Sequence, residues 1–338
     1  MLISLQTLKK HLVTLLKIGI SVAILAYLVR DALRDPDALE RLRTDPKQWW
    51  LLLGAWAVCG TAVALTLVRW WYLVWAVELP FTLRSAFRLG FLGYLFNLAP
   101  MGIVGGDLIK AVMLAREHRD QRTRAVASVV VDRVIGLYVL FLVLAAAVLL
   151  LGFWNHWNAD IRLASRIAVG VAAVATGGIG LWFHAGAGTG RIVQALVRLP
   201  RIGGWLGKLV DASRMYHQRP GVLMASGVMT VGVHCLFVFG IYLAARGLPG
   251  YTATLREHFV IVPMSTVATI IPLPAGPQEG TIQFLYAQLA AAGTKGLVVG
   301  LTYRIITILI ALVGVCYYLG ARREVAQAIH EVEEEEGY

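Results

Sequence analysis

Six runs of apolar residues, 12–29, 50–68, 125–151, 165–183, 221–244 and 297–319, set the terms on which this chain can fold. Each holds at least 18 residues, and about 20 apolar residues of helix cross the ~30 Å hydrocarbon core of a bilayer. Over its 338 residues the chain is 58% hydrophobic and only 15% charged. Soluble domains carry about 25% charged residues, so this chain has too little polar surface to face water on all sides. An ordinary cytosolic enzyme, a disordered tail and a small disulfide-rich secreted domain are thereby excluded. Cys59, Cys235 and Cys316 all lie in apolar runs and are expected as buried free thiols. Lys9 and Lys10 precede the first run, as in a signal peptide. No small-x-small cleavage site follows before Arg30, which predicts an uncleaved first span.

Two further apolar stretches are interrupted midway. Residues 85–115 read SAFRLGFLGYLFNLAPMGIVGGDLIKAVMLA, and residues 259–292 read FVIVPMSTVATIIPLPAGPQEGTIQFLYAQLAAA. The breaks fall at Pro100, Gly102, Gly105 and Gly106 in the first, and at Pro272, Pro274, Gly276 and Gly280 in the second. Proline removes a backbone donor and glycine weakens a helix. Non-helical backbone at membrane depth survives only where protein or a water-filled cavity satisfies it. Each stretch is therefore either a kinked span or a re-entrant hairpin. Counting Lys and Arg separates the two. With a cytoplasmic amino terminus and two hairpins, 17 fall on the inside segments and 9 on the outside ones. A single crossing by 85–115 would move the most basic loops outside, so the positive-inside rule favours hairpins.

The two interrupted stretches also match each other. Pro100 is followed seven positions later by Asp107, and Arg133 lies 26 residues beyond that. Pro272 is followed seven positions later by Glu279, and Arg304 lies 25 residues further on. Span, span, hairpin, span describes both 12–151 and 165–319. Three full crossings per half invert the second copy, so the hairpins approach from opposite faces. The expected fold is all-α and polytopic, with about seven transmembrane helices (the six runs above among them). Two opposed re-entrant hairpins, 85–115 and 259–292, sit in an inverted-topology repeat. It forms a single membrane domain over 1–338, with an acidic cytoplasmic tail at 320–338. Both termini are expected in the cytoplasm of a cell whose cytoplasmic (inner) membrane holds the protein, a bacterial one. Inverted repeats with broken helices near the midplane are a recurring plan of transporters.

Ionisable residues inside apolar spans are costly and mark functional sites by default. Asp107, Asp132, Arg133, Glu279 and Arg304 qualify, with Lys17, Arg69 and Lys110 nearer span ends. In one reading Arg133 and Arg304 bind an anionic group such as phosphate through their fixed forks of donors. Asp107 and Glu279 then balance that charge or carry a proton, and helix ends at the breaks add N–H donors. In the other, Asp107 with Arg133 and Glu279 with Arg304 are structural ion pairs that pin each hairpin to the next span. Both can hold at once. Asn97, Gln278 and Gln283 lie near the breaks and are placed to satisfy freed backbone groups. Trp49, Trp50, Trp70, Trp71, Tyr72 and Trp75 sit at span ends as an interface belt, and His234 is an interior histidine.

No P-loop, HExxH, GxSxG or CxxC occurs, and the eight histidines show no metal-ligand spacing. No enzyme activity, metal or cofactor is expected. The expected partners are a membrane lipid or lipid-linked substrate and anionic lipid headgroups; no nucleic acid is expected, and a homo-oligomer is left open.

At NLAPMGIVGGDLIKAVMLA, ASVVVDRVIGLYVL, IIPLPAGPQEGTIQFLY and LTYRIITILIALVG the chain resembles the transmembrane region of the lysylphosphatidylglycerol synthase family, a flippase-like membrane domain. The resemblance covers about residues 10–322 and is most specific at Pro100, Gly105, Gly106 and Asp107, at Asp132–Arg133, and at the turn ending in Glu279. It implies the movement of an anionic or aminoacylated phospholipid, or of a lipid-linked sugar, between leaflets. The aminoacyl-transfer domain of bifunctional members is not among these residues, so synthesis of lysylphosphatidylglycerol is not expected. The second turn, PLPAGPQEG, is less glycine-rich than the family pattern at Pro277 and Gln278. Two other classes stay open: an intramembrane transferase or phosphatase with Asp107 or Glu279 as base, and a non-transporting scaffold subunit.

Overall fold

A computed structural model describes residues 2–32, 43–98, 102–184, 214–250, 253–271, 273–289 and 295–322, with 40, 207, 210 and 325 as isolated positions. Pro100 and Pro272 lie outside the described residues. Every regular element among those described is helical: α1 (Leu2–Ala32), α2 (Trp49–Ala76), α3 (Leu83–Phe96), α4 (Gly102–Glu117), α5 (Arg122–Leu150), α6 (Ala159–His184), α7 (Pro220–Gly247), α8 (Leu255–Ala268), α9 (Pro277–Leu289) and α10 (Lys295–Gly320). Short 3₁₀ turns precede α5 at Arg119–Gln121 and α6 at Phe153–Asn155.

Helices α2, α5, α6, α7 and α10 are each long and apolar enough to cross a membrane. The 31 residues of α1 take in the expected run 12–29. The order long, long, short, short, long occurs twice, first from α1 to α5 and then from α6 to α10. The short members, with 14, 16, 14 and 13 residues, reach only about 20–24 Å at 1.5 Å per residue, less than a bilayer core. The first pair breaks after Phe96 and the second after Ala268, as the Pro/Gly clusters require.

Cα packing divides the chain into two units. One comprises Met1–Thr61, Phe91–Leu108 and Cys235–Gly320, so it holds the tip of the first broken stretch and the whole of the second. Here α1, α3 and α9 lean on α10, and glycine lets α3 and α9 approach it. A Cβ at Gly314 would lie 2.4 Å from the Phe91 carbonyl of α3, and one at Gly296 would lie 2.8 Å from Gln283 Cα of α9. Phe91 stacks on Tyr317 and Phe96 meets Tyr318 edge-on, extending the α3–α10 contact. The backbones of α3 and α4 touch where Gly106 faces the Gly93 carbonyl. With lipid as solvent, apolar side chains gain little by leaving it, so close van der Waals packing through small residues holds such helices together.

The other unit comprises Ala62–Gly90, Ile109–His234 and Ala321–Tyr338. In it α5 packs on α6, and Trp70 is fully buried, with Phe81 edge-on and the Lys110 ammonium 5.1 Å above its ring. This corrects the interface-belt reading for Trp70: a cation over its face and a buried neighbour hold it inside. Trp49, Trp50 and Trp75 do stand exposed. The three cysteines are free, but only Cys59 is buried; Cys316 is exposed on α10. An apolar run does not distinguish a lipid-facing thiol from an interior one.

Replacing Gly106 by valine forces a branched side chain against the Gly93 carbonyl, 2.0 Å from its Cβ, and should cost about 1–3 kcal/mol. Gly170→Ala, where nothing lies within 4 Å, should leave stability unchanged or raise it. Thermal unfolding in detergent distinguishes the two; equal effects would contradict the packing described here.

Candidate functional site: two buried arginine–carboxylate pairs

The second broken stretch accounts for its backbone groups almost residue by residue. At the end of α8 the amides of Thr269, Ile270 and Ile271 donate three residues back, to Thr266, Val267 and Ala268, and Leu273 donates to Ile271. Pro274 stands half-buried in the turn. Gly276 has φ +109°, which only glycine adopts without strain, and a Cβ there would meet Ile24 of α1 at 2.9 Å. Pro277 occupies the first helical position, where its missing N–H is no loss. Glu279, two residues on, turns back to accept from the Gly276 amide through Oε2 at 2.8 Å. A carboxylate in the first turn also faces the positive end of the helix dipole.

The other oxygen of Glu279 accepts from Arg304 Nε at 2.6 Å, joining α9 to α10. Gly296, Gly300 and Arg304 follow at four-residue spacing and so share one face of α10. The missing side chain at Gly300 lets α10 rest on Glu279 itself: a Cβ there would lie 3.2 Å from Glu279 Cα. The Glu279 side chain is 2% exposed and that of Arg304 25%. Of the two pairs expected from spacing, this one is present. Gln278, beside it, is buried, and Gly280 is half-buried opposite Leu28 of α1. Gln283 Oε1 accepts from the Leu297 amide at 2.7 Å, capping α10 as a freed-backbone partner should. At the opposite end of the hairpin, His258 accepts from the Tyr286 hydroxyl through Nε2 at 2.8 Å. Its Nδ1 must carry the proton, because it faces the Thr254 carbonyl at 2.8 Å.

In the first half a buried pair forms between Arg69 and Asp132. Asp132 on α5 accepts from Arg69 Nε of α2 at 2.8 Å, and Arg69 Nη1 donates to Thr230 Oγ1 of α7 at 2.7 Å. Arg69 Nη2 reaches the Asp132 carbonyl at 3.3 Å. Thr230 Oγ1 in turn donates to the Ser226 carbonyl at 2.6 Å. With side chains 5% and 6% exposed, this cluster ties α2, α5 and α7 together. The apolar run 50–68 had set Arg69 at a span end, yet α2 continues to Ala76. An arginine whose donors are met inside the protein does not end a helix.

The remaining candidates are distributed between the units. Gly102 opens α4, Gly105 and Gly106 are buried, and Asp107 follows them half-buried. Arg133 is half-buried on α5, one residue past Asp132, and both Asp107 and Arg133 keep polar or electrostatic partners of their own. Lys110 is buried over Trp70. Asn97 sits just past α3, its Oδ1 buried and without a hydrogen-bond partner among the described residues. His234 is an interior histidine as expected, its Nε2 3.3 Å from the Gly136 carbonyl.

A buried pair stabilises mainly by not being broken, since losing one partner strands the other charge at a cost of about 3–5 kcal/mol. Glu279→Ala and Arg304→Ala should each destabilise the protein, and the double replacement should cost less than their sum by about 1 kcal/mol or more. Thermal unfolding of the four proteins in one detergent measures this; strict additivity would contradict the pair.

Among known proteins, no curated protein and no solved structure matches this chain. The family model for the lysylphosphatidylglycerol synthase TM region matches residues 14–314. That range contains both broken stretches and both arginine–carboxylate pairs, and the chain belongs to the lysylphosphatidylglycerol synthase TM region family.

Proposed function

We propose that this membrane protein moves a lipid with an anionic headgroup between leaflets. The candidates are an anionic phospholipid, an aminoacylated phospholipid or a lipid-linked sugar. Family membership and span-length helices support a function in membrane lipid handling. The observation that carries the finer reading is the state of Arg304. Among the described residues its Nε is held by Glu279, no partner engages its two Nη groups, and its side chain is a quarter exposed. A guanidinium presented in this way can grip two phosphate oxygens through its Nη groups. Glu279 neutralises it while the site is empty and fixes its position when a headgroup arrives. Because both Glu279 oxygens are already hydrogen-bonded, we read this carboxylate as a positioning and charge-balancing group and assign it no catalytic role.

In this reading α3–α4 and α8–α9 are re-entrant hairpins of an inverted repeat in the bacterial inner membrane, with both termini cytoplasmic. Their lengths fit a return to the side of origin better than a crossing. The hairpin tips 91–108 and 269–276 belong to one unit, and the Pro/Gly turns shape a polar cavity there. In the unit that holds Arg304, Asp107 balances charge and Gln278 and Asn97 supply neutral hydrogen bonds; in the other unit, taken by itself, Arg133 and Lys110 are the cations offered to an anionic group. Asp132, held by Arg69 on one side of α5, sets the rotation of the helix that carries Arg133.

The test is translocation of fluorescent lipids in liposomes carrying the purified protein, scored by a membrane-impermeant quencher. A panel of anionic phospholipids, lysylated phosphatidylglycerol and polyprenyl-phosphate sugars should contain at least one lipid moved tenfold faster than in protein-free vesicles. Arg304→Lys, which keeps the charge but loses the fork, should remove most of that gain, and so should Arg133→Gln. No acceleration for any lipid would overturn the proposal. A chemically altered lipid in the same vesicles would point to a transferase or phosphatase.

A further inference from the structure

Helix α1 leans on the second broken stretch. It packs on α9 and α10, the two helices that the Glu279–Arg304 pair joins. Ile24 seats on Gly276 and Leu28 faces Gly280. These contacts bracket Glu279 in the α9 sequence, and Gly276 is the residue whose amide Glu279 holds. Both contacts advance by four residues, so α1 runs parallel to α9. Ser21, one turn before Ile24, lies on the same face of α1 (at i, i+3 and i+7 with Ile24 and Leu28). It is buried too, its hydroxyl without a hydrogen-bond partner among the described residues. On the remaining faces Leu12, Leu15, Leu16, Val22 and Tyr27 are exposed.

The seam is thus apolar, narrow and notched into two glycines. Parting it exchanges protein contacts for lipid contacts of similar strength, and the Ser21 hydroxyl gains a partner where it had none. The faces of α9 and α10 that α1 covers would then meet the acyl chains. A lipid's tails can stay in the bilayer while its headgroup reaches Arg304.

We infer that α1 is a movable strap whose separation from α9 opens a lateral route for the lipid headgroup to the Arg304–Glu279 pair. The inference rests on the reading of that pair as a headgroup site. The motion can be measured on its own.

Two experiments use the full-length protein in liposomes, with Cys59, Cys235 and Cys316 replaced by alanine. In the first, spin labels at Tyr27→Cys and Phe284→Cys, both exposed positions, report the α1–α9 distance by double electron–electron resonance. Two distance populations are expected, the longer enriched by added anionic lipid. In the second, Leu28→Cys and Gly280→Cys are joined by a short bifunctional thiosulfonate. Cross-linking should slow lipid translocation at least tenfold, and a reductant should restore it. A single distance unmoved by lipid, or a cross-linked protein that translocates at the uncross-linked rate, would overturn the strap. If the protein with Leu28 and Gly280 intact moves no lipid, the functional reading fails, and the distance measurement alone then decides whether α1 moves.

Discussion

The structure turns on a single carboxylate at the start of a helix. Glu279 caps α9 through the Gly276 amide and neutralises Arg304 across to α10. Neither bond would suffice alone to keep a charged group 2% exposed, because an unsatisfied buried charge is among the most costly features a protein can contain. Together they use both oxygens, and they fix where the broken helix resumes after its Pro/Gly turn. The turn can tolerate Pro274, and Pro277 just after it, because something beyond the turn determines its end point.

Glycine sets the rest of that geometry. Gly300 brings α10 against the Glu279 backbone, Gly314 brings it against α3, and Gly276 accepts Ile24 of α1. Helices α1 and α3 therefore converge on α10 and the neighbouring α9 at distances only a missing side chain permits. The second unit uses the other solution available in a membrane. There a buried arginine, Arg69 of α2, donates to acceptors on α5 and α7 at once. One site is fully enclosed and structural in character; the other leaves a quarter of its arginine side chain reachable. That difference in exposure directs the functional reading towards Arg304.

Much of this was legible in the sequence. Apolar runs of span length and Pro/Gly breaks are local signals, and both survive in the helix boundaries. The Glu279–Arg304 pair was legible because the acid follows the break and the arginine opens the next span, so few arrangements keep them apart. Asp132 was harder. Its partner Arg69 lies 63 positions away on a different helix, and no local pattern links them; an arginine at the edge of an apolar run reads as a span end unless its interior partners are known. The burial of Trp70 escaped for the same reason, since aromatic residues near span ends suit both a membrane interface and a cation-lined interior. The role of α1 was equally hidden, because a glycine in a turn announces a backbone angle and not the isoleucine that will seat against it.

The most direct measurement is contact between Arg304 and lipid phosphorus. Nitrogen-15-labelled arginine in liposomes of anionic lipid allows nitrogen–phosphorus dipolar recoupling by solid-state NMR, with Arg304→Lys identifying the residue by difference. A guanidinium signal dephased by phosphorus, lost in Arg304→Lys and absent in zwitterionic vesicles, is the expected result. No dephasing attributable to Arg304 in any anionic lipid would contradict the claim that this pair exchanges with a headgroup.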